Sequence, residues 1–64
     1  MCESSAYLVS KGGESTLIME NVIYAVPQPD GMVFLEDILG MQKTVRGIIK
    51  EIKLLDHRIL IESA

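Results

Sequence analysis

The sequence contains one cysteine and one histidine in 64 residues, and it contains no tryptophan. One cysteine cannot close a disulfide within the chain, and one cysteine with one histidine cannot supply the four-ligand cage of a structural zinc site. The core of so small a domain rarely contributes more than about 3–5 kcal/mol to stability. Because neither a disulfide nor a structural zinc site is available within one chain, the sequence predicts unusually regular packing or oligomerisation.

Basic charge and long apolar runs are also scarce. Six basic residues against nine acidic ones give a net charge of -3, whereas binders of phosphate backbones normally display a net basic face. No uncharged run approaches the ~18–20 residues of a membrane span. The opening Met1-Cys2-Glu3 lacks the basic region of a secretory signal. Together with the unpaired cysteine, these features predict a cytoplasmic protein with no membrane association.

Turn residues divide the remaining chain into short apolar segments. Gly12-Gly13 is typical of a hairpin turn, and the run from Pro27 to Gly31 indicates a second break. The segments between breaks are rich in Val, Ile, Leu, Tyr and Phe, and they are Ala6–Ser10, Ser15–Met19, Asn21–Val26, Met32–Leu35 and Arg58–Glu62. They predict a single all-β domain over residues 1–64, either a small barrel or a sandwich.

The segment Met41–Leu55 allows two interpretations. Its apolar residues recur at helical spacing, which favours an amphipathic helix. Its β-branched residues and partial alternation favour a strand. Gly47 costs a helix about 1 kcal/mol relative to alanine, and in a strand it would mark a bulge or a tight bend. The pattern alone leaves helix and strand open.

No constellation of catalytic residues is present. His57 lies in a charged turn far along the chain from Cys2, so we expect a solvated histidine rather than a base beside a nucleophile. Glu36 and Asp37 precede an Ile-Leu-Gly turn and are interpreted as turn-capping residues rather than as an acid–base pair. The sequence therefore predicts a protein that is not an enzyme.

Cys2 is the residue whose chemistry is best suited to binding a metal. If Met1 is removed, Cys2 carries a free α-amine and a thiol on adjacent carbons, and these two groups can close a five-membered chelate ring around a metal. The backbone amide nitrogen of Glu3 is a further donor when deprotonated. Amine, amide and thiolate donors favour Ni(II) or Cu(II) over tetrahedral Zn(II). The thiolate is the ligating form, so binding should strengthen as the pH rises.

One chain offers only two or three of these donors. A symmetric dimer with both amino termini near the two-fold axis doubles them and also buries apolar surface that a small chain cannot cover alone. The chemistry of Cys2 and the small size of the chain thus predict the same assembly, a homodimer.

The residues resemble the CooT-type small nickel-binding proteins, accessory proteins linked to maturation of the nickel-containing carbon monoxide dehydrogenase. The most specific element is the Met1-Cys2 start. The likeness covers nearly the whole chain, through Glu3-Ser4, Ala6-Tyr7-Leu8, Glu20-Asn21-Val22, Pro29-Asp30-Gly31, Asp37-Ile38-Leu39-Gly40, Gly47-Ile48-Ile49-Lys50-Glu51-Ile52 and Leu55-Asp56-His57-Arg58-Ile59-Leu60-Ile61-Glu62.

This resemblance implies a small SH3-like or Sm-like barrel of about six or seven short antiparallel strands, with Met41–Leu55 as strand and Gly47 as a bend. It also implies a homodimer that shares one Ni(II) between two copies of Cys2, and carbon monoxide dehydrogenase or its maturation proteins as partners. His57 is not implied as a ligand.

Two other classes of function remain as alternatives. A small-barrel RNA-binding module would use the basic residues, which are Lys43, Arg46, Lys50, Lys53 and Arg58. A solvated charged face is the simpler interpretation, because no aromatic residue interleaves with them to stack on bases. A purely structural interaction protein would place its aromatic and methionine side chains in the core or a dimer interface; these are Tyr7, Tyr24, Phe34, Met19, Met32 and Met41.

Overall fold

Five β-strands make up the secondary structure of the computed structural model, which describes residues 4–64. They are β1 (Ser4–Val9), β2 (Ser15–Pro27), β3 (Met32–Asp37), β4 (Gln42–Lys53) and β5 (Arg58–Ser63). The predicted all-β class is confirmed, and the ambiguous segment is a strand, as the resemblance implied. Within residues 4–64 no helix is long and apolar enough to cross a membrane.

The strands close into a small barrel in the order β1-β2-β3-β4-β5. The four sequential pairs are antiparallel, whereas β5 closes the ring on β1 in parallel, with Ala6 opposite Ile59. A chain that reverses direction at every turn brings its first and fifth strands together in the same direction. Among the described residues, the closing pair is thus the parallel exception in the expected antiparallel barrel.

The number of strands is five rather than the predicted six or seven. The segments Ser15–Met19 and Asn21–Val26 belong to one continuous strand, β2. The residue Asn21 adopts a φ of 56°, and the register shifts between Val22 and Tyr24. Such an irregularity bends a strand without ending it. The first part of β2 thus pairs with β1 and the second part with β3.

Strand β4 changes partner at Gly47. Residues up to Arg46 pair with β3, and those from Gly47 onward pair with β5. A Cβ at Gly47 would lie 2.5 Å from the carbonyl oxygen of Glu62 and 2.8 Å from Cγ2 of Ile61. Glycine is required here for close approach of two backbones, and the bulge lies further on, between Ile49 and Glu51.

The barrel interior is filled by aliphatic side chains. The buried residues are Ala6, Met19, Val22, Val33, Leu35, Ile59 and Ile61. Three aromatics and three methionines were expected in the core or a dimer interface. Most of them lie outside the core, because alternation along the strands points Phe34 outward and leaves Tyr24 and Met41 exposed. Of the six, Met19 is the one in the buried core. Apolar surface is consequently left on the outside of the molecule.

Candidate functional site at the start of the first strand

Two predicted nickel donors, Cys2 and the backbone amide of Glu3, lie outside the described residues. The described chain begins at Ser4, the first residue of β1. Because two residues of extended chain span at most about 7 Å, the start of β1 determines which part of the barrel is within reach of a metal held at residue 2. We therefore describe the site from this point.

Hydrogen bonds to both neighbouring strands hold the start of β1. Ser4 is the register partner of Val22 in β2, and Ser5 is the partner of Arg58 in β5. The backbone amide of Ser5 also donates to the carbonyl oxygen of His57 at 2.8 Å. The end of β1 that Cys2 and Glu3 precede in the sequence is therefore anchored on both sides.

Two residues beside this point adopt the left-handed backbone conformation. Among residues 4–64, the non-glycine residues with positive φ are Asn21 and His57, both at 56°. Asn21 precedes the partner of Ser4, and His57 accepts the hydrogen bond from Ser5. Asparagine and histidine are among the residue types that tolerate this region best. Both departures from ordinary backbone geometry thus flank the start of β1.

The turn between β4 and β5 lies against this end of β1. Its backbone is closed by a hydrogen bond of 3.3 Å from the amide of His57 to the carbonyl of Leu54. The side chains of Leu54 and Leu55 are 78% and 96% exposed. Sequence reasoning placed His57 in a charged turn but overlooked this pair of leucines. The available signal was two adjacent leucines within a turn, where polar residues are the rule.

The predicted roles of Asp37 and His57 agree with the structure, whereas Glu36 lies within β3, where its carboxylate accepts a hydrogen bond from the side chain of Gln42 and caps no turn. Asp37 ends β3, and its Oδ1 accepts hydrogen bonds of 2.9 Å from the amides of both Leu39 and Met41. It is a turn-capping residue, as expected. His57 is exposed in its turn. Within the described residues, no three His, Cys, Asp or Glu side chains are grouped closely enough to hold a metal ion.

The five basic residues of the RNA alternative do not form one surface. Lys43 pairs with buried Leu35, and its ammonium donates to the carbonyl of Ile18 at 3.1 Å. Arg46 lies opposite Met32 on the outer face of the same strand. Lys50 falls at the bulge, and Lys53 lies opposite Arg58 at the end of the hairpin. Four of these cations are spread along β4, and the fifth, Arg58, lies on β5.

One aromatic contact was absent from the sequence interpretation. The guanidinium carbon of Arg58 lies 5.3 Å from the centre of the Tyr7 ring, which is cation–π distance. The pair forms because the parallel closing strand places the outward side chains of β5 beside those of β1. The spacing of residues in the sequence does not predict a contact between Tyr7 and Arg58, which are far apart along the chain.

A cleft of about 370 Å³ lies between β2 and the β3–β4 turn, and sequence reasoning did not anticipate it. It mixes apolar, amide and charged groups, and its lining is Ile18, Met19, Glu20, Asn21, Asp37, Leu39, Met41, Gln42 and Lys43. Two of its polar groups are already engaged, the Asp37 carboxylate by backbone amides and the Lys43 ammonium by the Ile18 carbonyl. These two groups therefore serve the local structure around the bend of β2 at Asn21.

Comparison with known proteins places this barrel in a family. The family described as CO dehydrogenase accessory protein CooT matches residues 1–62. The chain belongs to the CooT family. A crystal structure of a candidate CooT from Carboxydothermus hydrogenoformans superposes with a TM-score of 0.85 at 40% identity, covering 98% of each chain. The resemblance inferred from the sequence is thereby confirmed.

A second similar protein is known by its sequence. An uncharacterised protein of Methanothermobacter thermautotrophicus is 44% identical over 63 residues, which is 98% of this chain and 91% of the relative. The matches extend from end to end of the barrel.

Proposed function

We propose that this chain is a non-catalytic, cytoplasmic accessory protein that binds Ni(II) and holds or delivers it for maturation of a nickel-containing carbon monoxide dehydrogenase. Membership of the CO dehydrogenase accessory family supports the maturation role. The observation that carries the metal assignment is Cys2, which lies within the matched residues and directly precedes the anchored start of β1.

The donor chemistry of the first residues suits nickel. After removal of Met1, Cys2 offers an amine and a thiolate, and the amide of Glu3 offers a second nitrogen. Nitrogen and thiolate donors of this kind support square-planar Ni(II). One nickel bound between two copies of Cys2 would complete a set of two sulfurs and two or more nitrogens, so the proposal includes a homodimer.

Titration of Ni(II) into protein with a verified Cys2 amino terminus tests this assignment. The expected stoichiometry is one nickel per two chains for the wild type, with binding lost in Cys2→Ser, which keeps the size of the side chain and removes the thiolate. A variant with one glycine inserted before Cys2 tests the amine separately, because it keeps the thiol but moves the free amine away. We expect this insertion to weaken nickel binding as well.

Two outcomes would contradict the assignment. Equal nickel binding by the wild type and Cys2→Ser would exclude the thiolate as a ligand. One nickel bound per single chain would exclude a site shared by two chains. Delivery is tested separately, by asking whether loaded protein raises the activity of nickel-free carbon monoxide dehydrogenase above that reached with Cys2→Ser.

A further inference from the structure

The tip of the β4–β5 hairpin carries apolar side chains that the barrel does not cover. Leu55 is 96% exposed and Leu54 is 78% exposed. Ile52, although paired with buried Ile59, is still 52% exposed. The tip forms a shallow groove of about 460 Å³, lined by Glu51, Ile52, Lys53, Leu54, Leu55 and Asp56. A contiguous apolar patch with a polar rim is typical of an interaction site.

The charges around these leucines indicate what kind of partner fits. Two acidic residues, Glu51 and Asp56, and the basic residue Lys53 line the groove, and Arg58 lies opposite Lys53. In a two-fold contact the same patch meets itself, so the acidic groups of one chain can lie beside the basic groups of the other. A nucleic acid or an anionic membrane would instead require a predominantly positive surface. The balanced rim therefore suits a second copy of this chain.

The position of the tip connects it to the amino terminus. The carbonyl of His57, in the same turn as the leucines, accepts the hydrogen bond from the amide of Ser5. Cys2 precedes Ser5 by three residues, and three residues of extended chain span at most about 11 Å. A two-fold contact centred on this turn would bring the starts of the two β1 strands close to the dimer axis, and therefore close to each other.

We propose that Leu54 and Leu55 form the apolar centre of the two-fold contact between two copies of this chain, and that this contact brings two amino termini within reach of one nickel ion. The surface rests on the proposed function, because a shared metal site is incomplete without the second copy. It adds the part of the barrel that makes the dimer, which the donor chemistry of Cys2 does not specify.

Sedimentation analysis of Leu55→Ser and of the double variant Leu54→Ser/Leu55→Ser tests the surface, with and without nickel. Each substitution counts twice in a symmetric dimer, so Leu55→Ser should raise the dimer dissociation constant about a hundredfold. The matched control is Leu39→Ser, in the β3–β4 turn, where the leucine is 86% exposed. Its dissociation constant should stay at the wild-type value. Circular dichroism spectra that match the wild type would verify that all variants fold; melting temperatures do not serve this purpose, because weaker dimerisation lowers them by itself.

The outcomes separate the surface from the metal site. Wild-type dimerisation of the double variant, or equal weakening by Leu39→Ser, would overturn the proposed surface. At concentrations above the raised dissociation constant, Leu55→Ser should still bind one nickel per two chains, because its donors are intact. If Cys2→Ser retained nickel while Leu55→Ser lost dimerisation, the surface would stand and the nickel assignment would fail.

Discussion

The backbone amide of Ser5 donates a hydrogen bond of 2.8 Å to the carbonyl oxygen of His57. This bond joins β1 to the turn between β4 and β5. This bond begins the parallel pairing of β1 with β5 that closes the barrel. The start of β1 therefore lies beside the turn that carries the exposed leucines, Leu54 and Leu55.

The backbone of His57, rather than its imidazole, is expected to serve the site. His57→Asn should keep stability within about 0.5 kcal/mol and leave nickel stoichiometry unchanged, because asparagine also tolerates a positive φ. His57→Val should destabilise the fold by roughly 1–2 kcal/mol, since a β-branched residue is strained at the observed φ of 56°. Denaturant unfolding and nickel titration measure these effects. Loss of nickel from His57→Asn would instead identify the imidazole as a ligand.

Gly47 is expected to be the glycine least tolerant of a side chain. Gly47→Ala would place its Cβ 2.5 Å from the carbonyl oxygen of Glu62, so the paired backbones must separate. We expect a loss of about 2 kcal/mol in unfolding free energy. Gly12→Ala is the control, because its Cβ would meet only Ser10 Oγ, at 3.8 Å. Equal effects of the two substitutions in urea unfolding would show that the close approach at Gly47 is not limiting.

The carboxylate of Asp37 is expected to stabilise the β3–β4 turn. Asp37→Ala removes the acceptor of two amide hydrogen bonds of 2.9 Å and should cost about 1–2 kcal/mol. Asp37→Asn keeps a side-chain carbonyl oxygen at the same position and should retain most of that stability. Thermal unfolding of the two variants provides the comparison. A loss as large in Asp37→Asn as in Asp37→Ala would contradict this role.

RNA binding is expected to be weak. Four of the cations are spread along β4 and the fifth lies on β5, and two of them are engaged, Lys43 with a carbonyl and Arg58 with the Tyr7 ring. Fluorescence anisotropy with a single-stranded RNA at physiological salt should therefore give a dissociation constant weaker than about 100 µM. Tighter binding that falls with salt and is abolished by Arg46→Glu with Lys50→Glu would restore the RNA alternative.

Local chemistry made much of the fold predictable. Alternating apolar segments gave the all-β class, and the Gly12-Gly13 pair marked a hairpin that the structure contains, with Gly13 at a φ of 91°. The number of strands was not predictable in the same way. The sequence divides near Asn21 into two predicted segments. In the structure β2 is continuous there, because its first part pairs with β1 and its second part with β3.

The surroundings of the site were less accessible to sequence reasoning. Cys2 is recognisable because its chemistry depends only on its place in the chain. The contact of Ser5 with His57 depends on parallel closure of the barrel, which joins residues that no local pattern relates. Leu54 and Leu55 have the composition of buried residues, and only the position of their turn at the end of a hairpin reveals that they are exposed.

Native mass spectrometry of nickel-treated protein tests the central claim most directly, because one spectrum reports the mass of the amino terminus, the number of chains and the number of metal ions. We predict a species of two chains, each lacking Met1, with a single nickel, and no nickel-bound species for Cys2→Ser. A single chain carrying its own nickel, or nickel bound equally well by Cys2→Ser, would contradict the account.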